Sequence, residues 1–148
     1  GHRKQVAALR HGTVVDHLNA GTMMKALEVL GLPKNGPALL GIQLESEKFG
    51  HKDILKLSGV EITEEEIARL ALFGPAVTVC YIRDYRVVKK VQATLPDDLL
   101  GLLLCPNPSC ITNHERVKTR FEVKQRSPLV VRCHYCELRV NEGELVLV

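Results

Sequence analysis

Cys105-Pro-Asn-Pro-Ser-Cys110, followed after 22 residues by Cys133-His-Tyr-Cys136, is the stretch on which the reading of this 148-residue chain turns. Two short loops each offer two sulfurs, and a hairpin between them would bring the loops together. This is the spacing of a four-thiolate zinc site. Zn²⁺ in a structural role takes four tetrahedral soft ligands and keeps no open position for chemistry. Proline, asparagine and serine in the first loop bend the chain so that both sulfurs face inward. The second loop is a tighter knuckle, with a strand entering it over Pro128–Cys133 and another leaving it over Glu137–Val140.

Other uses of the cysteines fit less well. Disulfides need an oxidising compartment, and neither a secretory signal nor a transmembrane run appears, so a cytoplasmic protein is expected. A thioredoxin-like redox pair belongs at a strand-to-helix junction, and it would leave the second pair without a role. His134, inside the knuckle, and His114, shortly after Cys110, are substitute ligands by type. His134 is expected to point outward and His114 to be an ordinary loop histidine.

Outward from the cysteines, the tail beyond about residue 99 reads as a small β-domain with little core, ending in a strand over Glu144–Val148. A unit of this kind depends on metal to stay folded. Leu99–Leu104 is too short to cross a membrane and reads as a core segment. Thr94-Leu-Pro-Asp-Asp98 is the natural joint, placing one domain at 1–97 and a second at 98–148. Gly1-His2, with no initiating Met, is read as a tag remnant and given no functional weight.

Upstream, the expected order is strand, strand, helix, strand, strand, helix, strand, strand. A hairpin is expected over 3–9 and 12–18, turning at His11-Gly12. A helix follows over Thr22–Leu30 with Met23, Leu27 and Leu30 on one stripe. Strands are expected over Ala38–Leu44 and Asp53–Leu57. Thr63-Glu-Glu-Glu66 is a capping box opening a helix that runs to about Phe73 and buries Ile67, Leu70 and Ala71. Gly74-Pro75 stops it. Ala76–Arg83 and Arg86–Gln92 form a hairpin around Asp84. The pattern implies an α+β layer, with two helices on one face of a mainly antiparallel sheet.

Composition narrows the function. The chain is 45% hydrophobic and 25% charged, as soluble globular domains are. Aromatics make up only 4% and Trp is absent, which argues against base-stacking platforms for single-stranded nucleic acid. The formal charge of +3 is too mild to argue for DNA binding. Residues 101–148 hold 7 Lys+Arg against 5 Asp+Glu, and four thiolates with one Zn²⁺ cancel that excess. There is no Ser/His/Asp arrangement in recognisable context, and neither GxGxxG nor a Walker loop occurs. Read from the residues alone, a zinc-ribbon nucleic-acid-binding protein stays open as the alternative reading.

Several stretches, in one order along nearly the whole chain, carry a resemblance. They are Gly12-Thr-Val-Val-Asp-His17, Lys52-Asp-Ile-Leu-Lys56, Leu70-Ala-Leu72, Ala76-Val-Thr-Val79, Tyr85-Arg-Val-Val-Lys-Lys90, Leu95-Pro96 and the cysteine quartet. With these the chain resembles the regulatory subunits of aspartate carbamoyltransferase, the allosteric chains of that enzyme of pyrimidine biosynthesis. The resemblance implies an N-terminal allosteric domain with a ferredoxin-like sheet, followed by a zinc domain holding one structural ion. It implies no catalysis by this chain. CTP and UTP would inhibit and ATP would activate, with Mg²⁺ accompanying the nucleotides. Regulatory chains would pair through their N-terminal domains, and three such dimers would hold two catalytic trimers together. Neither nucleic acid nor membrane is an implied partner.

Site residues follow by position. Lys90, with His17 beside it, would meet the phosphates, since compact ammonium groups suit a polyanion. Lys56 would face the ribose or base. Leu9, Ile82, Tyr85 and Val87 would wall the base. Asp16, itself an anion, falls in the family's site, where it suits a ribose hydroxyl, a base amino group or a metal ion. Asn107, Tyr135 and Glu137 would point outward from the metal loops toward the catalytic chain. Without the resemblance, Asp16-His17 would read as a strand-end pair, and Lys56, Lys89 and Lys90 as solvated surface. Two residues depart from the family pattern. Cys80 stands where asparagine is common, and Lys89 replaces a small residue and adds charge beside Lys90.

Overall fold

The computed structural model of the chain describes residues 8–32, 36–47 and 50–148. The chain forms two compact units that meet in sequence at Thr94 and Leu95.

The first unit is a five-stranded antiparallel sheet. Its elements are β1 (Gly12–Asn19), α1 (Met23–Val29), β2 (Ala38–Ser46), β3 (Gly50–Ser58), α2 (Glu64–Leu70), β4 (Thr78–Arg83) and β5 (Arg86–Gln92). The spatial order is β2-β3-β1-β4-β5. Each helix connects two strands with one other strand between them, which is the split βαβ arrangement of a ferredoxin-like fold, here with β5 added. Strand alternation assigns the two faces. Val15, Leu55, Leu57 and Val79 are buried with Met23 and Ala26 of α1 and Ile67 and Leu70 of α2. Val14, Asp16, Lys56 and Cys80 lie on the opposite, open face, half-buried.

Local signals explain the ends of α2. Thr63 Oγ1 accepts from Glu66 N at 3.2 Å, and Glu66 Oε1 accepts from Thr63 N at 3.0 Å. Both halves of the capping box are therefore made. The helix tightens into a 3-10 turn at Ala71–Phe73 and stops at Gly74.

The expected hairpin at His11-Gly12 does not form around β1. Most of its first strand, residues 3–7, lies outside the described residues. β1 pairs with β3 on one edge and β4 on the other, so no edge is left for a partner. Gly12 is needed there for close approach, because a Cβ would sit 1.9 Å from the Leu57 carbonyl oxygen.

The second unit holds a four-stranded sheet, β10-β9-β8-β6, and a two-stranded pair, β11-β7. The strands are β6 (Asp98–Leu100), β7 (Leu103–Leu104), β8 (Arg120–Arg126), β9 (Leu129–Cys133), β10 (Arg139–Asn141) and β11 (Val146–Leu147). Leu99, Leu103, Phe121, Leu129, Val131 and Val140 fill a small core. The apolar run 99–104 is two strands rather than one segment, broken at Gly101, whose φ of 65° lies in the left-handed region. Among the described residues no helix is long and apolar enough to cross a membrane.

Candidate functional site

β7 delivers Cys105, and the Pro-rich loop returns the chain at Cys110 into a 3-10 turn over Ile111–Asn113. Cys133 ends β9, and Cys136 follows in the turn before β10. The Sγ atoms of Cys105 and Cys136 lie 3.6 Å apart, those of Cys110 and Cys133 3.8 Å apart. All four sulfurs fall within 4.8 Å of one another. Sulfurs about 2.3 Å from a common Zn²⁺ would stand about 3.8 Å apart at the tetrahedral angle, so the donor set fits that ion in size and softness. All four cysteines are free, and no sulfur pair approaches the disulfide length of about 2.05 Å. Neither nearby imidazole joins them. His134 is exposed and sits edge-on to Tyr135, and His114 bonds the Pro108 carbonyl.

Four thiols this close cannot ionise independently. Burial pushes Cys105 and Cys133 up. Burial would also raise Cys136, but the Leu138 N–H, the Asn107 side chain and the neighbouring thiols favour its thiolate and bring it down to about 7.

Of the residues expected to face a partner, Tyr135 and Glu137 are exposed, and Glu137 pairs with Arg132 at 2.6 Å. Asn107, expected to point outward, is half-buried. Its Oδ1 accepts from Ser109 N at 3.0 Å.

In the first unit, strand register assembles a second group. Val14 pairs with Lys56 on one side and Cys80 on the other, and Cys80 pairs with Lys90. Directly paired residues share a face, so Lys56 and Lys90 stand in one row on the open face. They are three strand spacings apart, about 14 Å. One step along the face in one direction come Asp16 and Thr78. One step in the other come Gly12, Ile82 and Val87. His17 adopts φ 61° at a bulge, and its Nδ1 lies 3.1 Å from Thr78 Oγ1. Tyr85 is exposed at the tip of the β4–β5 turn, where its N–H donates to the Arg10 carbonyl, next to the half-buried Leu9.

The charges on this face act on one another. Burial lowers the Lys56 pKa, and Asp16 partly restores it. Burial raises the Cys80 thiol, with Lys90 pulling it down and Asp16 pushing it up. Asp16 is held by Lys52 Nζ at 2.9 Å and accepts from the His17 N–H at 2.6 Å. Lys89 does not add its charge to this face. It pairs with Tyr81 on the helix side, its Nζ 6.0 Å from the ring centroid.

Residues 4–94 match the family description "Aspartate carbamoyltransferase regulatory chain, allosteric domain", and residues 97–146 match the "metal binding domain" of the same chain. The chain belongs to the aspartate carbamoyltransferase regulatory chain family. It is 46% identical over 145 residues to the regulatory chain of Thermococcus gammatolerans, covering 97% of this chain and 95% of the relative. The regulatory chain of Pyrococcus abyssi is 48% identical over 96% of this chain and 95% of its own length. That of Methanocaldococcus jannaschii is 41% identical over 93% of each.

As a member of that family the chain is a non-catalytic subunit, with an allosteric domain in front and a metal-binding domain behind. Sequence reasoning had passed over two residues of its open face. Lys52 was legible only as the start of the Lys52-Asp-Ile-Leu-Lys56 stretch, although its i, i+4 distance from Lys56 places both on one face of a strand. Thr78 was legible only within the Ala76-Val-Thr-Val79 stretch, because its place beside Asp16 comes from pairing across the sheet.

Proposed function

We propose that this regulatory chain binds nucleoside triphosphates on the open face of its first unit, and that Zn²⁺ shapes its second unit into a docking surface for catalytic chains. CTP and UTP bound there inhibit and ATP activates. The observation that carries the reading is the cross-strand row Lys56–Val14–Cys80–Lys90. It sets two ammonium groups at opposite ends of a span that one extended nucleotide covers.

Within that row Lys90, beside His17 and Thr78, meets the phosphates. Lys56 meets the ribose or base side. Ile82 and Val87, with Leu9 and Tyr85 near the turn, give the base an apolar wall and nearby strand-end backbone groups that read its exocyclic pattern. Asp16 faces a ribose hydroxyl, a base amino group or a Mg²⁺ accompanying the phosphates. It does so in exchange for Lys52, its partner in the free chain.

Pairing of two regulatory chains falls to the β2 edge. The two outer strands differ in kind. β2 carries Leu39, Leu40 and Ile42 at 47%, 40% and 54% exposure with no charge from Ala38 to Leu44, whereas β5 carries Arg86, Lys89 and Lys90. Charged edges resist strand addition and apolar ones invite it. In the second unit Zn²⁺, held by Cys105, Cys110, Cys133 and Cys136, orders the loops that present Tyr135 and Glu137 to the catalytic chain. Three regulatory dimers then join two catalytic trimers.

Allostery requires each nucleotide to favour one global state over another. ATP and CTP are expected to compete for one pocket and to bias a rotation of domains or subunits in opposite directions. Calorimetric titration of the full chain with CTP and with ATP tests the site. Lys90→Ala should weaken both, and unchanged binding of both would reject this pocket. Aspartate saturation of the reconstituted holoenzyme, titrated with CTP, UTP and ATP, tests the directions of response.

A further inference from the structure

We propose that Asn113 and His114 form a clamp that closes the Cys105–Cys110 loop over the metal and sets how slowly the ion leaves. The inference rests on the zinc reading of the four-cysteine cluster.

The loop has little else to hold it. Pro106 and Pro108 bring no N–H, and Pro106, Pro108 and Ser109 are exposed, so apolar packing does not shape the turn. Its carbonyl oxygens are gathered instead by two side chains from just beyond Cys110. Asn113 Nδ2 donates to the Cys105 carbonyl at 2.9 Å and to the Asn107 carbonyl at 2.8 Å. His114 Nε2 lies 2.7 Å from the Pro108 carbonyl. A carbonyl only accepts, so the Asn113 amide nitrogen must face the loop and His114 must carry its proton on Nε2.

These bonds reach the sulfurs through the backbone. The Asn107 carbonyl also takes the Cys110 N–H at 3.0 Å, and the Asn113 N–H returns to the Cys110 carbonyl at 2.9 Å. The Cys105 sulfur lies 3.6 Å from the Cys136 sulfur, so the first loop meets the second knuckle at the cluster itself. Thr112 Oγ1 lies 3.1 Å from Cys110 Sγ, where its hydroxyl can donate to the sulfur once a metal holds it. Releasing Asn113 would let the loop open and draw the Cys105 and Cys110 sulfurs apart. Residues that orient metal ligands typically carry about 10–100-fold in metal affinity. Here that factor is expected in the rate of release, because the clamp acts on the closed loop.

The test uses the zinc-loaded full chain mixed with an excess of a chromophoric chelator. Asn113→Ala and Asn113→Leu, the second similar in size but without a donor, should release zinc about tenfold faster or more. His114→Phe should release it a few-fold faster, while His114→Gln, which keeps an amide donor, should stay near the parent rate. Cobalt-substituted variants should keep the absorption bands of a four-thiolate tetrahedral site. Melting in saturating zinc should fall by no more than the lost zinc affinity accounts for, since metal binding and folding are linked. Parent-like release from both Asn113 variants would overturn the clamp, as would cobalt bands that show a changed ligand set. If an Asn113 variant fails to fold, the His114→Phe and His114→Gln pair decides, and equal rates for those two overturn the proposal. A parent chain that holds no zinc strikes the zinc reading itself. A parent that holds it, with variants no faster, strikes only the clamp.

Discussion

Asp53 is the buried carboxylate of the allosteric domain, with no solvent exposure. It is one residue from Lys52 on β3, but on the helix side. Its Oδ2 accepts from the N–H groups of Gly21 at 3.1 Å and Met23 at 3.2 Å, at the start of α1. Its Oδ1 accepts from Gln43 N at 2.9 Å, where β2 is bulged and Gln43 has φ 54°. One side chain therefore ties β3 to both the first helix and the edge strand. Asp53→Ala strands three donors. The Met23 bond is fully buried, and its loss should cost about 2 kcal/mol, while the other two, at exposed residues, are partly rehydrated and cost about 1 kcal/mol each. The expected total is about 4 kcal/mol. Asp53→Asn can keep its oxygen on Gly21 and Met23 but then opposes the Gln43 N–H with its own NH₂, so about 2 kcal/mol is expected. Urea unfolding of the full chain in saturating zinc, followed by circular dichroism, measures both. For a unit of this size the alanine variant should also melt about 20 °C lower. A cost below about 1 kcal/mol for alanine, or a larger cost for asparagine than for alanine, would refute the assignment of these bonds as the anchor of β3.

Thr63→Ala should destabilise the allosteric domain by about 1 kcal/mol, the usual worth of a lost N-cap, and the same unfolding curve reads it. Metal uptake should release protons. Near neutral pH Cys136 is about half ionised, with a pKa of about 7, while Cys105 and Cys133 are held protonated by burial. Zinc titration of the metal-free chain in buffers of different ionisation enthalpy should therefore show more than about two protons leaving per ion near pH 7, and weaker binding as pH falls. Proton release near zero would mean that the thiols are not the ligands. Cys80→Asn restores paired donor and acceptor atoms at the centre of the lysine row, so the ratio of CTP to ATP affinity should change by several-fold. An unchanged ratio in competition binding would remove Cys80 from the pocket. A nucleic-acid binder would hold DNA or RNA with a steep salt dependence. The chain should show no such retention on a nucleic-acid column, and salt-sensitive retention would revive the zinc-ribbon alternative.

Some of this protein was legible in the order of its residues because the relevant physics is local. The capping box needs only residues three apart, and it forms as read between Thr63 and Glu66. The pairing of cysteines into two short loops predicted their convergence, since each loop is bent by its own prolines and polar turn residues. The helix stripes and most strands followed from periodicity. β8 was missed although Phe121 and Val123 alternate with polar neighbours, because charged residues dominate its composition.

Tertiary structure alone decided what lies beside what. Only the pairing of β1 with both β3 and β4 makes it a central strand, and that overturned a hairpin that its own turn residues favoured. Cross-strand register, summed over hydrogen bonds between distant segments, brings Lys56 to the row of Lys90 and sends Lys89 to the other face. Burial of Asp53 and the capture of loop carbonyls by Asn113 and His114 likewise depend on where separate segments meet. A residue's conformational preference is a property of its near neighbours along the chain. Its partners are set by contacts that exist only once the sheet has closed.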